Sequence, residues 1–351
     1  MMSQKDGFIS AEQYNGRFMF ILSSFIFQLL SFSVHRSTLL IMEFTNLPCT
    51  DHHHSSILFT EYAYKVIYHY QKLNKVRTAE TYLTTVNSFQ TFLSGTDVYI
   101  SDITQELLQE YEAHLYAKNL QSNTISFYMK HLRAIYNRAV DDSLVVDIHP
   151  FKRVNTSIAP TPKRALSLRA IKRIKNLNLD SSPVKRFARD MFMFSFYTRG
   201  MSFVDIAYLK KKNLTSNLLC YRRRKTGQQL EMTCEKCILD ILDRYSAEPS
   251  SPYLLSIIDP SIANHRRQYL SASSLVNRHL RDIGQQLSLS HPLTMYCARH
   301  SWASIAYNEG IPISIICEGM GHDSEKTTRI YLAKLKSDTI DRANRKILRL
   351  L

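Results

Sequence analysis

Two segments late in the chain combine residue types that do chemistry with spacings that could bring them together. MGHDSEKTTRIYL, from Met320 to Leu332, sets His322 nine positions before Tyr331, and TMYCARHSWASIAY, from Thr294 to Tyr307, buries the pair Arg299-His300 in an otherwise apolar helical pattern. Upstream stand Arg199 in YTRGM and Lys225 in RRRKTG. An arginine on the apolar side of a helix is costly unless an anion or a carboxylate meets it. A guanidinium can give an oxyanion two parallel charged hydrogen bonds, so Arg199 and Arg299 suit an anionic substrate. A free phenol, with a pKa of about 10, is ionised to roughly one part in a thousand at neutral pH, and neighbouring cations raise that fraction. Taken singly, Arg199 could pair with Asp205, Arg299 with a buried glutamate, and Tyr331 could be a core aromatic. Together and in this order they form a candidate site with an oxygen nucleophile and several fixed cations.

The chain that must carry these residues has 351 of them, 44% apolar and 11% aromatic, enough for two domains with real cores. Lysine and arginine outnumber aspartate and glutamate by 45 to 30, and the resulting formal charge of +15 favours a polyanionic partner such as nucleic acid. The cations cluster from Pro162 to Arg186 and from Leu209 to Gly227, where the bland alternative is a solvated helix face and a solvated hairpin. Six scattered cysteines make no disulfide framework and fit a reducing, cytoplasmic setting. The pair Cys234 and Cys237 lacks a second ligand pair, and consecutive residues of Asp51 to His54 cannot easily face one ion, so no metal is expected. None of the nine glycines falls in a phosphate-cradling loop motif, so no nucleotide cofactor is expected either.

Positioning elements follow from periodicity. Residues 1–55 form an extension whose run Phe18 to Val34 is uncharged; it is read as a dispensable segment ahead of a functional start at Met42, with a membrane anchor and a packed helix as alternatives. Residues 56–145 predict an all-helical domain, with Tyr64, Ile67, Tyr68, Tyr82, Val86, Phe89, Phe92, Leu107, Leu108, Tyr111 and Leu115 on apolar faces. SDITQEL from Ser101 and SNTISFY from Ser122 supply helix starts. Lys130, Arg133 and Arg138 share the last of these helices with Phe127, Tyr128 and Tyr136, either to reach phosphates or as the charged outer face of a core helix. Residues 146–163, with three prolines, read as a basic linker, so that two lobes could close round a duplex. Residues 164–351 predict helices near 168–177, 183–196, 271–286, 295–307, 314–318 and 338–350, and a two-stranded hairpin turning at Thr226-Gly227. The fold class expected is mainly α with one small β-sheet.

The ordered set Arg199, Lys225, Arg299-His300, Gly321-His322 and Tyr331 resembles the signature of the tyrosine recombinase, or phage integrase, family over residues 56 to 350. YTRGMSFVDIAYL, YCARHSWASIA and GHDSEKTTRIYL are similar to segments of integrases carried by conjugative transposons and related mobile elements. The resemblance implies an all-helical core-binding domain, a mostly helical catalytic domain, and a site-specific recombinase acting through a 3′-phosphotyrosyl intermediate. It implies Tyr331 as nucleophile, Arg199, Arg299 and His322 at the phosphate, and Lys225 as proton donor to the leaving 5′ oxygen. Tyr296 departs from the pattern, since a histidine often stands three residues before the second arginine. His300, Asp205 and Gly321 are supporting candidates, and Lys75, Arg77, Lys130, Arg133, Arg138, Lys163, Arg164, Arg222, Arg223 and Arg224 are candidates for holding DNA. Duplex DNA, a tetrameric synapse with exchange of the C-terminal helix, and accessory DNA-bending proteins are the implied partners. The task implied is integration or excision of a mobile element; an invertase or dimer-resolving recombinase shares every residue named, and a catalytically inactive DNA-binding regulator is the alternative of another class.

Overall fold

The computed structural model describes residues 57–332 apart from 160, together with 344, 345, 348 and 349. The apolar run 18–34, Met42 and most of the expected tail helix lie outside that set. The described chain forms two compact units that meet in sequence between Thr161 and Pro162.

Among the described residues the first unit has four α-helices, α1 (Phe59–Lys72), α2 (Val76–Phe92), α3 (Gln105–Ala117) and α4 (Ser122–Asp141). Thr104 caps α3, its hydroxyl accepting from Leu107 N at 3.3 Å. Its core joins Phe59, Val66, Val86, Phe89, Leu108, Tyr111, Ile125, Met129 and Tyr136. Two expected apolar positions differ: Tyr64 and Tyr68 are exposed, because the buried stripe of α1 runs through Phe59, Tyr62, Ala63, Val66 and Ile67. At 100° per residue, positions 64 and 68 project away from that stripe. The irregular stretch after α4 is not all free strand, since Phe151 and Val154 are buried in this unit's core and Asn123 bonds the backbone of Ala159 in both directions.

The second unit is built on α6 (Pro183–Tyr197), which follows α5 (Leu168–Lys175) and starts with proline at its first turn. Phe187, Ala188, Met191, Phe192, Met193 and Phe194 are all buried, so the second half of α6 is enclosed nearly all round and lies inside the unit. Around it come α7 (Phe203–Ala207), the strands β1 (Leu214–Thr215), β2 (Leu218–Arg222) and β3 (Gln229–Thr233), then α8 (Lys236–Arg244), α9 (His265–Gln286), α10 (Met295–Asn308), α11 (Ile313–Met320) and α12 (Glu325–Tyr331). Asp190 fixes α6 against α8: its buried carboxylate accepts from Arg189 Nε at 2.6 Å, Arg244 Nη1 at 2.7 Å and the Tyr245 hydroxyl at 2.8 Å.

Three local differences from expectation have physical reasons. The sheet is three-stranded and antiparallel, because two residues of β1 pair with β2, too short a run to show as an alternation. The hairpin loop is wider than a two-residue turn: Arg222 pairs with Gln229, and Arg223 N still donates to Gln228 O at 2.8 Å. Helix α9 begins at His265 instead of Ser271, because Asn264 caps it by accepting from Arg267 N at 3.0 Å ahead of the polar run HRRQ. Among the described residues no helix is long and apolar enough to cross a membrane, and no cluster of three or more His, Cys, Asp or Glu is placed to hold a metal ion.

Candidate active site

Arg299 lies at the centre of the converging elements. It sits on α10, where Cys297, Ala298, His300, Ser301, Ala303 and Ser304 are also buried, so its guanidinium is held in the interior. Nη1 donates to Gly200 O at 2.8 Å, and Nη2 donates to Met320 O at 2.6 Å and to His322 Nε2 at 2.8 Å. Nε is buried without a protein partner, and among the described residues no carboxylate pairs with this cation. Burial and then the neighbouring Arg223 push its pKa down from the ordinary arginine value.

The turn after α6 brings Arg199 in. Arg199 and Gly200 are both left-handed, at φ 60° and 79°, and reverse the chain within two residues. A Cβ on Gly200 would lie 2.7–2.9 Å from Cγ, Cα and Cβ of Arg299, so only glycine allows this approach. The Arg199 side chain donates to Glu231 O at 3.3 Å on β3 and passes Gly319 on α11. It does not pair with Asp205. That buried carboxylate instead accepts from the Ser202 hydroxyl at 2.6 Å and from Arg224 N at 2.9 Å, which ties the start of α7 to the hairpin.

The hairpin loop divides its cations. Lys225 is exposed at the tip. Arg222 donates to Gly227 O at 3.1 Å and Arg224 lies 4.0 Å over the Tyr208 ring, both exposed. Arg223 differs from its neighbours: it is buried, and its guanidinium donates to Gly321 O inside the site. Gly321 caps α11 at φ 63°, and a Cβ there would meet Arg223 Cδ at 2.9 Å and Gln228 Oε1 at 3.0 Å. That left-handed turn delivers His322, which is buried and whose ring bridges two elements: Nε2 faces Arg299, and Nδ1 meets Thr328 Oγ1 at 2.9 Å. Burial, with Arg299, Arg223 and Lys225 adding repulsion, lowers its pKa from 6.5 to about 4. His322 is therefore neutral at physiological pH.

Helix α12 is capped by Ser324, whose hydroxyl accepts from Thr327 N at 3.4 Å, and ends at Tyr331. The Tyr331 ring is stacked on His322 at 4.9 Å and 27°, packs on His300 at 4.7 Å, and lies 5.6 Å from Arg299 Cζ. Its carbonyl accepts from Ser304 Oγ at 3.1 Å. Tyr296, half exposed one turn before His300, sets its ring edge-on to Tyr331 with centroids 5.8 Å apart; burial and then the neighbouring Tyr331 phenol raise its pKa above the ordinary phenol value. The His300 ring lies against both phenols, 4.5 Å from Tyr296, and its burial lowers its pKa. Arg164 adds positive potential to Tyr296 and His300, and Lys163 donates to Ile330 O next to Tyr331.

Arg299, His322, Tyr331, Tyr296 and His300 thus come together, with Arg199 on the adjoining turn donating to Glu231 O, Lys225 on the adjoining loop, and Asp205 and Gly321 as supports. Thr328, Ser304 and the inward Arg223 belong to the same cluster and carried no distinguishing signal; a buried threonine three residues before a tyrosine looks like any helix interior. The remaining candidates lie in the first unit. Lys75 is exposed beside the first turn of α2, and Arg77 is exposed and pairs with Glu80 at 3.4 Å. On α4, Lys130 is half-buried, Arg133 donates to Thr156 Oγ1 at 3.1 Å, and Arg138 lies 5.8 Å from the Tyr70 ring centre.

Comparison with known proteins places the chain in a family. The phage integrase SAM-like domain matches residues 58–158, and the phage integrase family matches residues 171–338. A tyrosine recombinase XerA of Pyrococcus horikoshii is 22% identical over 261 residues, covering 65% of this chain and 89% of its own. Among solved structures, the Tn1549 transposon integrase in complex with a circular intermediate DNA is similar at a TM-score of 0.60 and 15% identity, over 84% of this chain and 100% of that one. A lambda integrase tetramer bound to a Holliday junction is similar at 0.58 and 15%, over 80% and 78%. At such identities these two structures speak to the fold.

Proposed function

The chain belongs to the phage integrase family of tyrosine recombinases, and from that premise we propose that it is a site-specific DNA recombinase whose nucleophile is Tyr331. The observation that carries this reading is the convergence on one phenol of a buried neutral histidine and a buried arginine whose Nε lacks a protein partner. A phosphodiester under attack gathers charge on its non-bridging oxygens, and fixed cations aimed there lower the barrier. Arg199 and Arg299 take those oxygens, with Arg223 adding positive potential from behind His322. Tyr331 Oη attacks phosphorus and the bond to the 5′ oxygen breaks, with Lys225 supplying the proton that oxygen needs to leave. His322, whose Nε2 accepts from Arg299, holds that guanidinium in place, and the phenol's proton passes to solvent, its loss favoured by the cations around it.

The 3′-phosphotyrosyl bond keeps the free energy of the broken backbone bond, so a 5′ hydroxyl of a second strand reverses the step without ATP. The partner is duplex DNA, held by the surplus of cations, and two sites are paired by four protomers, as in the lambda integrase tetramer on its junction. The task is integration or excision of a mobile element, which the likeness of YTRGMSFVDIAYL and GHDSEKTTRIYL to segments of conjugative-transposon integrases supports. Plasmids carrying the two ends of the DNA segment that bears this gene test it. Purified protein is expected to yield joined ends and an excised circle without nucleotide; no exchange, with cleavage of single sites intact, would remove the mobile-element role.

A further inference from the structure

The catalytic reading uses the charge of Arg223 and leaves its donors unassigned. The alternation of β2, with Tyr221 buried and Arg222 exposed, continues into the loop and turns Arg223 inward. Its backbone is held on both sides, N donating to Gln228 O at 2.8 Å and O accepting from Gly227 N at 2.8 Å, so the side chain leaves from a fixed root. The buried guanidinium gives Nη1 to Gly321 O, and Arg299 gives Nη2 to Met320 O, the carbonyl just before it. Two guanidinia are thus mounted on consecutive carbonyls of the turn that delivers His322, and both lower the pKa of that ring. A Cβ on Gly321 would lie 2.9 Å from Arg223 Cδ, so bare backbone is what lets the arginine stem pass. Among the described residues neither guanidinium is ion-paired with a carboxylate, and Asp205, the buried acid of this region, is taken by the Ser202 hydroxyl and Arg224 N. Desolvated cations side by side are costly until an anion meets both.

We propose that Arg223 is a catalytic residue that contacts the scissile phosphate directly, forming with Arg299 a two-guanidinium cradle on the turn made by Met320, Gly321 and His322. The bond to Gly321 O occupies one side of the Arg223 fork, and its other N–H groups are donors for a non-bridging oxygen. The phosphate supplies the anion that the buried pair lacks. Because both cations are fixed by backbone carbonyls before DNA arrives, little reorganisation is needed as charge gathers on the oxygens. The proposal rests on the recombinase reading and deepens it, adding Arg223 to Arg199 and Arg299 at the phosphate.

Full-length protein is tested on two nicked duplexes of the junction sequence, one with an ordinary scissile phosphate and one with a methylphosphonate there, in which a methyl group replaces a non-bridging oxygen and removes the charge. Single-turnover cleavage of the ordinary duplex by Arg223→Gln is expected to fall roughly 100–1000-fold, the usual penalty for losing one donor to a developing oxyanion. On the neutral duplex the loss should shrink to less than about 10-fold, because the charge that Arg223 meets is gone. Arg223→Lys, a point charge in place of the fork, should recover part of the rate on the ordinary duplex. Non-covalent binding is read separately with Tyr331→Phe: neutralising the phosphate should weaken it by roughly 10-fold or more, and adding Arg223→Gln should abolish most of that difference. If Arg223→Gln does not fold, Arg223→Met, which keeps the aliphatic stem, reads the same contrasts. Equal losses on the two duplexes would mark Arg223 as merely structural and overturn the proposal, as would a binding difference that Arg223→Gln leaves intact. If the wild type leaves the neutral duplex uncut, the binding contrast alone decides Arg223. Should it cut neither duplex, the recombinase reading fails, and that same contrast still decides whether Arg223 holds the phosphate.

Discussion

Replacing Gly200 by alanine tests the architecture of the site at its narrowest point. Gly200 holds φ 79°, and a Cβ there would stand 2.7 Å from Arg299 Cγ, 2.8 Å from its Cα and 2.9 Å from its Cβ. A left-handed residue with a side chain costs about 1–2 kcal/mol. The Cγ contact could be relieved by rotation, but Arg299 Cα belongs to α10, where Cys297 and Ala298 beside it are fully buried. The helix or the turn must therefore move, at an overpacking cost of about 1–3 kcal/mol. The sum is about 2–5 kcal/mol, which at a slope of about 2 kcal/mol/M lowers a urea midpoint by roughly 1–2.5 M. The same movement breaks the Arg299 bond to Gly200 O, and misplacing a catalytic group by about 1 Å costs on the order of 100-fold in rate. Gly310→Ala is the control, since Gly310 has φ 85° in the same unit with nothing within 4 Å of an added Cβ. It should show only the left-handed cost and keep its cleavage rate. Equal midpoints and equal cleavage in the two variants would refute the claim that Gly200 sets the approach of Arg299.

Three further outcomes are expected. Lys225→Ala should slow cleavage by roughly 100-fold or more, and a substrate with sulfur in place of the leaving 5′ oxygen should recover most of the loss, because a thiolate departs without a proton; no recovery would remove Lys225 as the proton donor. The His322 pKa is depressed, so its contribution to stability is complete above about pH 6.5 and is lost as pH falls towards 4, by about 3 kcal/mol in all. Urea midpoints between pH 7.5 and 4.5 should accordingly fall more steeply in the wild type than in His322→Asn, and identical slopes would contradict the burial of a neutral ring. Arg222→Ala and Arg224→Ala should each weaken duplex binding and lower the slope of log K against log salt by about 1, while unchanged salt slopes would exclude both from phosphate contact.

Much of the architecture was legible because periodicity and capping agree with packing. Arg299 and His300 inside an apolar helical pattern announce buried polar groups that need partners. Spacing also marks the pairing of His322 with Tyr331, since a glycine turn followed by two helical turns returns the chain to the same place. What the sequence hides is direction. Arg222, Arg223 and Arg224 look alike in a row, yet strand alternation followed by the loop turns only Arg223 inward, towards Gly321 O. The acceptor of Arg299 is hidden for a related reason: backbone carbonyls of Gly200 and Met320 satisfy its Nη atoms, and carbonyls have no residue type to read. Likewise nothing in KTTRIY distinguishes Thr328, which meets His322, from half-buried Thr327 beside it in sequence.

The central claim, that Tyr331 is the nucleophile of a strand-cleaving reaction, is tested most directly by trapping the covalent product. Protein incubated with a nicked duplex carrying the junction sequence beside its gene is resolved on a denaturing gel, with wild type, Tyr331→Phe and Tyr296→Phe in parallel. A protein band joined to the DNA 3′ end in the wild type, absent in Tyr331→Phe and present in Tyr296→Phe, is the predicted result. A band that persists in Tyr331→Phe, or its absence from the wild type while salt-sensitive binding to the same duplex is intact, would contradict the assignment.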